Sequence, residues 1–178
     1  MTQRLIYQNE YPYFITAVTT YRQRVFENVE MAGRLNKIIF NACDLKKFDL
    51  LAFCILPDHL HLLVKPQRSL ERLRCDNEWC SPPPQSSPSP QRTFSKVRCM
   101  PRCDDRYISG LMQSIKGTFS RSIHQGRIWQ PRYNFRIVDT PERYYNTLRY
   151  IQFNYRKHGL PEKYGQPPYV YMNWQLLK

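Results

Sequence analysis

Apolar residues recur along this chain in two rhythms, one suited to strands and one to helices. In "YFITAVTTY" (Tyr13–Tyr21) β-branched and aromatic residues crowd together, which predicts a strand. Asn28 can cap a helix in which Met31, Leu35, Ile38, Ile39 and Ala42 fall at helical spacing. "FDLLAFCIL" (Phe48–Leu56) reads as a buried strand, Pro57 and Asp58 as a turn, and "HLHLLVK" as the returning strand. Further on, Ile108, Leu111, Met112, Ile115 and Phe119 mark a second amphipathic helix. "RIWQPRYNFRIV" (Arg127–Val138) looks extended, with Pro131 pointing to an edge strand or a bulge. Pro141 opens a third helix that runs to about His158. The order predicts an α+β fold: a ferredoxin-like (RRM-like) antiparallel sheet with helices on one face, plus an added C-terminal helix.

The pattern fails between about residues 71 and 106. There "SPPPQSSPSPQ" (Ser81–Gln91) is nearly all Pro, Ser and Gln. Such a composition cannot bury apolar surface and is expected to be disordered or extended. The chain therefore reads as a single domain over 1–160, interrupted by this insert, with 161–178 as a C-terminal tail. Its 178 residues fit one ordinary domain, and 42% hydrophobic residues supply a core.

Charge narrows the function. Lys and Arg number 27 against 14 Asp and Glu, a net of +13. The insert holds nearly as many acids as bases, so the excess belongs to the folded body. Nucleic acid is the first partner this implies, with an anionic membrane surface second. No apolar run reaches the about eighteen residues of a membrane span. The start, "MTQRLIYQNE", lacks the basic-then-apolar pattern of a secretory signal. A cytoplasmic chain with reduced cysteines is expected.

Two candidate sites carry chemistry. His59 and His61 are two apart on a strand, so both imidazoles point to one face while Leu60 turns to the other. That arrangement suits two ligands of one metal ion. It equally describes two solvent-facing histidines on a half-exposed strand. On the third helix, Tyr144, Leu148, Ile151 and Tyr155 form a core stripe. The opposite stripe holds Arg143, Thr147, Tyr150, Asn154 and Lys157. Tyr150 and Asn154 are thus neighbours one turn apart, flanked by cations. This is a nucleophile, a ligand and a phosphate clamp, or else an ordinary solvated helix face.

Together these motifs resemble a known family. "LPDHLHLLV", "LMQSIKGTFSR", "IWQPRY" and "YIQFN" preceding "KHGL" are similar to the single-tyrosine HUH transposases, most closely their REP-associated tyrosine transposase branch. The similarity runs over about Tyr13–Leu160 apart from the insert. It implies that His59, His61 and Asn154 hold a divalent ion and that Tyr150 is the nucleophile. Asn154 is followed here by Tyr155, where relatives often have proline. The implied reaction is cleavage of single-stranded DNA to a 5′-phosphotyrosine and a free 3′-OH, with rejoining that needs no ATP. Two imidazoles and an amide oxygen suit Mg²⁺ or Mn²⁺, the nitrogens favouring Mn²⁺. The implied substrate is a folded single strand, a REP-like hairpin near an element end, met in the nucleoid. Assembly of the site within one chain or across a homodimer is left open.

The basic surface supplies candidate DNA contacts. Lys116 and Arg121 lie on the polar side of the second helix. Gln130, Arg132, Asn134 and Arg136 share one face of the following strand if pairing is regular, with Arg127 at its start. Trp129, Tyr133 and Phe135 share the other face, where they either stack on unpaired bases or join the core. Arg143 and Lys157 flank Tyr150 as phosphate contacts. Cys43 and Cys54 read as small core residues. Cys75, Cys80, Cys99 and Cys103, in two pairs, could hold a structural Zn²⁺ in the insert. Two other functions compete: a non-catalytic single-strand-binding module built on the same sheet, and a zinc hydrolase. The latter lacks a third ligand, because His124 and His158 read as poorly placed.

Overall fold

A computed structural model describes residues 11–67 and 103–176. Strand β1 (Tyr13–Val18) alternates strictly, burying Tyr13, Ile15 and Ala17 on one side. Helix α1 (Val29–Lys46) begins where the Asn28 side chain accepts the Glu30 N–H at 2.8 Å. It stops at Lys47, which adopts a left-handed conformation. β2 (Phe48–Leu56) and β3 (His59–Pro66) form a hairpin about Pro57–Asp58 that pairs Leu56 with His59. Helix α2 (Cys103–Ser122), strand β4 (Asn134–Ile137), helix α3 (Pro141–Lys157) and strand β5 (Val170–Met172) complete the fold. The Thr140 side chain caps α3 by accepting the Arg143 N–H. The five strands lie in the order β4-β1-β3-β2-β5, every neighbour antiparallel.

The sheet separates two cores. On one face α1 and α2 pack together, enclosing Ile15, Leu35, Ile39, Phe53, Leu62, Ile115 and Phe119. Each such side chain contributes about 1.5–3 kcal/mol by leaving water. On the other face α3 lies alone, joining Leu148 and Ile151 to Cys54, Leu56, Leu63 and Val170. One helix cannot cover five strands. The β1 and β4 end of this face stays open as a cleft. No helix among the described residues is long and apolar enough to cross a membrane.

The predicted α+β sheet is therefore present, with four differences. β1 ends at Val18, because Thr19 turns away to bond the carbonyls of Gln23 and Asp58. β4 begins only at Asn134, so regular pairing does not extend back to Gln130 and Arg132. Trp129 instead makes an isolated bridge to Thr19 and enters the core beside Phe26 and Phe119. The expected tail supplies β5, which pairs with the outer edge of β2 and satisfies its backbone. Finally, Cys103–Arg106 belong to α2 rather than to the insert, consistent with Asp104 and Asp105 favouring a helix N-terminus. The rest of that insert, with Cys75, Cys80 and Cys99 of the expected zinc site, lies outside the described residues. So does the side chain of Cys103.

Candidate active site

The two histidines are not solvent-facing. His59 and His61 are 7% and 6% exposed, on the face that α3 covers. Register explains their setting: across the sheet His61 stands opposite Thr16 of β1 and Cys54 of β2. The Phe14 ring stacks on His61 with centroids 5.3 Å apart, and His59 packs edge-on at 4.8 Å. Each imidazole has one nitrogen occupied. Nδ1 of His61 lies 2.9 Å from Thr16 Oγ1, and Nδ1 of His59 lies 2.5 Å from Asp58 Oδ1. With Nδ1–H donating to Thr16 and Asp58, the lone pair of each ring sits on Nε2, the arrangement of a ligating histidine.

Helix α3 brings the remaining groups. Tyr150 Oη lies 3.5 Å from His61 Nε2, and the two rings meet edge-on at 5.3 Å. Asn154, one turn later, is 1% exposed, so the middle of this stripe meets the sheet while Arg143 and Lys157 at its ends stay exposed. Its Nδ2 donates to Cys54 Sγ at 3.8 Å, while its Oδ1 is buried without a hydrogen-bond partner. A buried orphan oxygen costs about 1–3 kcal/mol, a cost that a bound cation would remove. Among the described residues no three His, Cys, Asp or Glu side chains converge on a metal-sized site. The donors that His59, His61 and Asn154 could offer an ion are two imidazole nitrogens and this amide oxygen.

Burial and charge tune these groups. Burial, reinforced by electrostatic repulsion from the neighbouring His59, His158 and Lys157, lowers the His61 pKa to about 3, so it is neutral near pH 7. Burial alone would raise the Asp58 carboxyl, but His59 and Arg22 outweigh it and hold it below its usual value. Burial and the nearby Cys54 raise the Tyr150 phenol, against a hydrogen bond from Asn154 and the charge of Arg136. Unassisted, this tyrosine is a poor nucleophile. The Cys54 thiol itself is pushed up to about 12 by burial, which keeps it neutral. Buried Cys43 is raised likewise.

The candidate DNA contacts divide. Arg136, Arg143 and Lys157 line the same cleft of about 820 Å³ as His61 and Tyr150, together with Asn134 and Asn146. Lys157 Nζ stands 5.3 Å from the Tyr150 ring centroid, and Arg143 pairs with Asp139 at 2.7 Å. Lys116 and Arg127 line a separate groove beside α2. There Lys116 donates to the carbonyls of Gln130 and Pro131, so its ammonium fastens the turn before β4. Arg132 is exposed outside both hollows, and Arg121 on α2 donates to Thr118. Of the three aromatics, Trp129 is core, Tyr133 is half-buried against it and Phe135 is exposed.

Sequence reasoning missed Thr16, Asp58 and His158. Asp58 adjoins His59 in the chain and could have been noticed, whereas Thr16 reaches His61 only through strand register. His158 does lie beside the site: at the end of α3 its ring is 5.5 Å from that of His59.

Comparison with known proteins bears on this geometry. Residues 7–74 match the family model of IS200-like transposases. Over that stretch the chain is similar to the IS200-like transposases. The IS200-like stretch carries β1, α1, the β2–β3 hairpin and both histidines, whereas Tyr150 and Asn154 lie beyond it. A REP-associated tyrosine transposase solved bound to a REP hairpin shares the fold, with a TM-score of 0.59 and 19% identity. That similarity covers 96% of this chain and 82% of the other. A protein from Deinococcus radiodurans, assigned provisionally as a transposase, aligns with a TM-score of 0.46 and 18% identity, over 85% of this chain and 94% of its own. No curated protein matches the sequence.

Proposed function

We propose that this IS200-like protein is a transposase that cleaves and rejoins single-stranded DNA, with Tyr150 as nucleophile. The observation that carries the reading is the convergence of Tyr150 on His61, across 3.5 Å, from positions 89 residues apart in the chain. The IS200-like match over the histidine strand supports it. So does the fold shared with a transposase that binds a REP hairpin, which makes hairpin-bearing single strands the substrate of choice.

The residues have distinct tasks. Arg136, Arg143 and Lys157 bind the phosphates of a strand lying in the cleft and offset its charge. Tyr150 Oη attacks one phosphorus, forms the 5′-phosphotyrosine and expels the 3′-OH. The covalent link preserves the phosphoester, so attack by a 3′-OH reverses the step without ATP. His59, His61 and the Asn154 amide would hold a divalent ion, Mg²⁺ or Mn²⁺, which polarises the scissile phosphate when bound. Asp58 and Thr16 orient the two imidazoles. All these groups belong to one chain, which supports assembly of the site in cis.

A single-stranded hairpin labelled in turn at each end tests the proposal on a denaturing protein gel. With wild-type protein and Mg²⁺ or Mn²⁺, label 3′ of the cut should migrate with the protein and label 5′ of it should run free. Tyr150→Phe should bind the hairpin and give no adduct. An adduct with the Phe variant would assign the attack to another residue. Binding without any adduct in the wild type would leave the non-catalytic module as the better reading.

A further inference from the structure

The turn after β1 carries an exposed aromatic side chain on an unusual backbone. Tyr21 is 91% exposed, and both Tyr21 and Arg22 have positive φ, at 53° and 52°. Two consecutive non-glycine residues in the left-handed region are strained, and a bulky side chain there is an outlier. The turn is nevertheless firmly anchored. Thr19 is fully buried, and its hydroxyl bonds the carbonyls of Gln23 and Asp58 at 2.8 Å each. The Thr20 N–H donates to Ile128 O at 2.6 Å. Arg22 Nη1 reaches Asp58 Oδ2 at 3.1 Å, and the other oxygen of that carboxylate holds His59. The strained tip is thus tied through one residue to a candidate metal ligand.

We infer that Tyr21 is a stacking platform for an unpaired base next to the scissile phosphate, held in place by the Arg22–Asp58 pair. This rests on the strand-cleavage reading for the position of the DNA. A ring held in water by a strained and anchored backbone adds nothing to the core. It presents a flat apolar face from an anchored stretch of backbone, which suits stacking on a single-stranded base. The remaining guanidinium donors of Arg22, whose side chain is 69% exposed, face the same solvent and can meet the neighbouring phosphate.

Glycine separates this role from a structural one. Tyr21→Gly removes the ring and relieves the strained conformation, so the protein should melt at or above the wild-type temperature. The probe is a stem-loop oligonucleotide with single-stranded extensions, carrying 2-aminopurine at each unpaired position in turn. Wild type should quench the fluorescence at one or two positions. Tyr21→Gly should lose that quenching and bind the extended stem-loop about tenfold more weakly, with unchanged affinity for the blunt stem-loop. Tyr21→Phe should retain both. Equal affinity and quenching in wild type and Tyr21→Gly would overturn the inference, as would a wild type indifferent to the extensions. Quenching at Tyr21 without any covalent adduct would keep the stacking role and sink the cleavage reading instead.

Discussion

The two faces of the sheet are built to opposite rules. Beneath α1 and α2 the side chains are apolar, large and closed to water. Beneath α3 the same strands carry His59, His61 and Thr16, and α3 itself adds the Asn154 amide oxygen with no partner. Both faces are buried at their centres, yet the first hides almost only apolar groups, the Trp129 indole N–H being a buried donor without a partner. The second accepts polar burial to hold imidazole lone pairs and a phenol in register. Burial on this sheet therefore does not separate the core from the candidate site; the clustering of buried polar groups does.

Substitutions on each face should separate the rules. The largest effect is expected for His59→Ala with His61→Ala. Loss of the metal donors should lower cleavage by several kcal/mol of transition-state stabilisation, about a thousandfold or more, while hairpin affinity, carried by phosphate contacts, changes little. Cleavage at the wild-type rate in a labelled-hairpin assay would remove the metal role. On the other face, Phe119→Ala should cost about 3–5 kcal/mol in denaturant unfolding, with activity retained below the melting temperature. A loss of adduct in a still-folded Phe119 variant would show that the faces are coupled.

A pH titration gives a smaller effect specific to the histidine face. The folded state keeps His61 neutral down to about 3, whereas the unfolded chain takes up that proton near 6.5. Stability from this residue is complete above that higher value and declines as pH falls toward the lower one. The slope is at most about 1.4 kcal/mol per pH unit. Unfolding curves of wild type and His61→Asn between these limits should diverge in slope; parallel curves would contradict a buried neutral imidazole. The smallest change in stability is expected for Asn154→Leu. It removes a buried orphan oxygen at similar volume, so stability should hold or rise by up to about 1 kcal/mol while cleavage is lost. A strongly destabilised variant would mean that the Asn154 amide is a structural bond.

Local pattern determined much of this protein. The hairpin carrying His59 and His61, the Asn28 cap, the Pro141 start of α3 and the core positions of α2 follow from hydrophobic period and turn chemistry, which act within a few residues. The stripe joining Tyr150 to Asn154 follows likewise from 3.6-residue spacing. Tertiary structure decided which way that stripe faces, because a helix wheel shows two sides but not which one meets a sheet. It also decided that Thr16 and Asp58 hold the imidazoles, that His158 lies beside His59, and that Lys116 fastens a turn. The edge strand β5 is only three residues long and carries too little pattern to be read alone. It forms because β2 offers it backbone partners. Contacts between residues far apart in the chain depend on strand register and helix packing, and no local sequence signal records either.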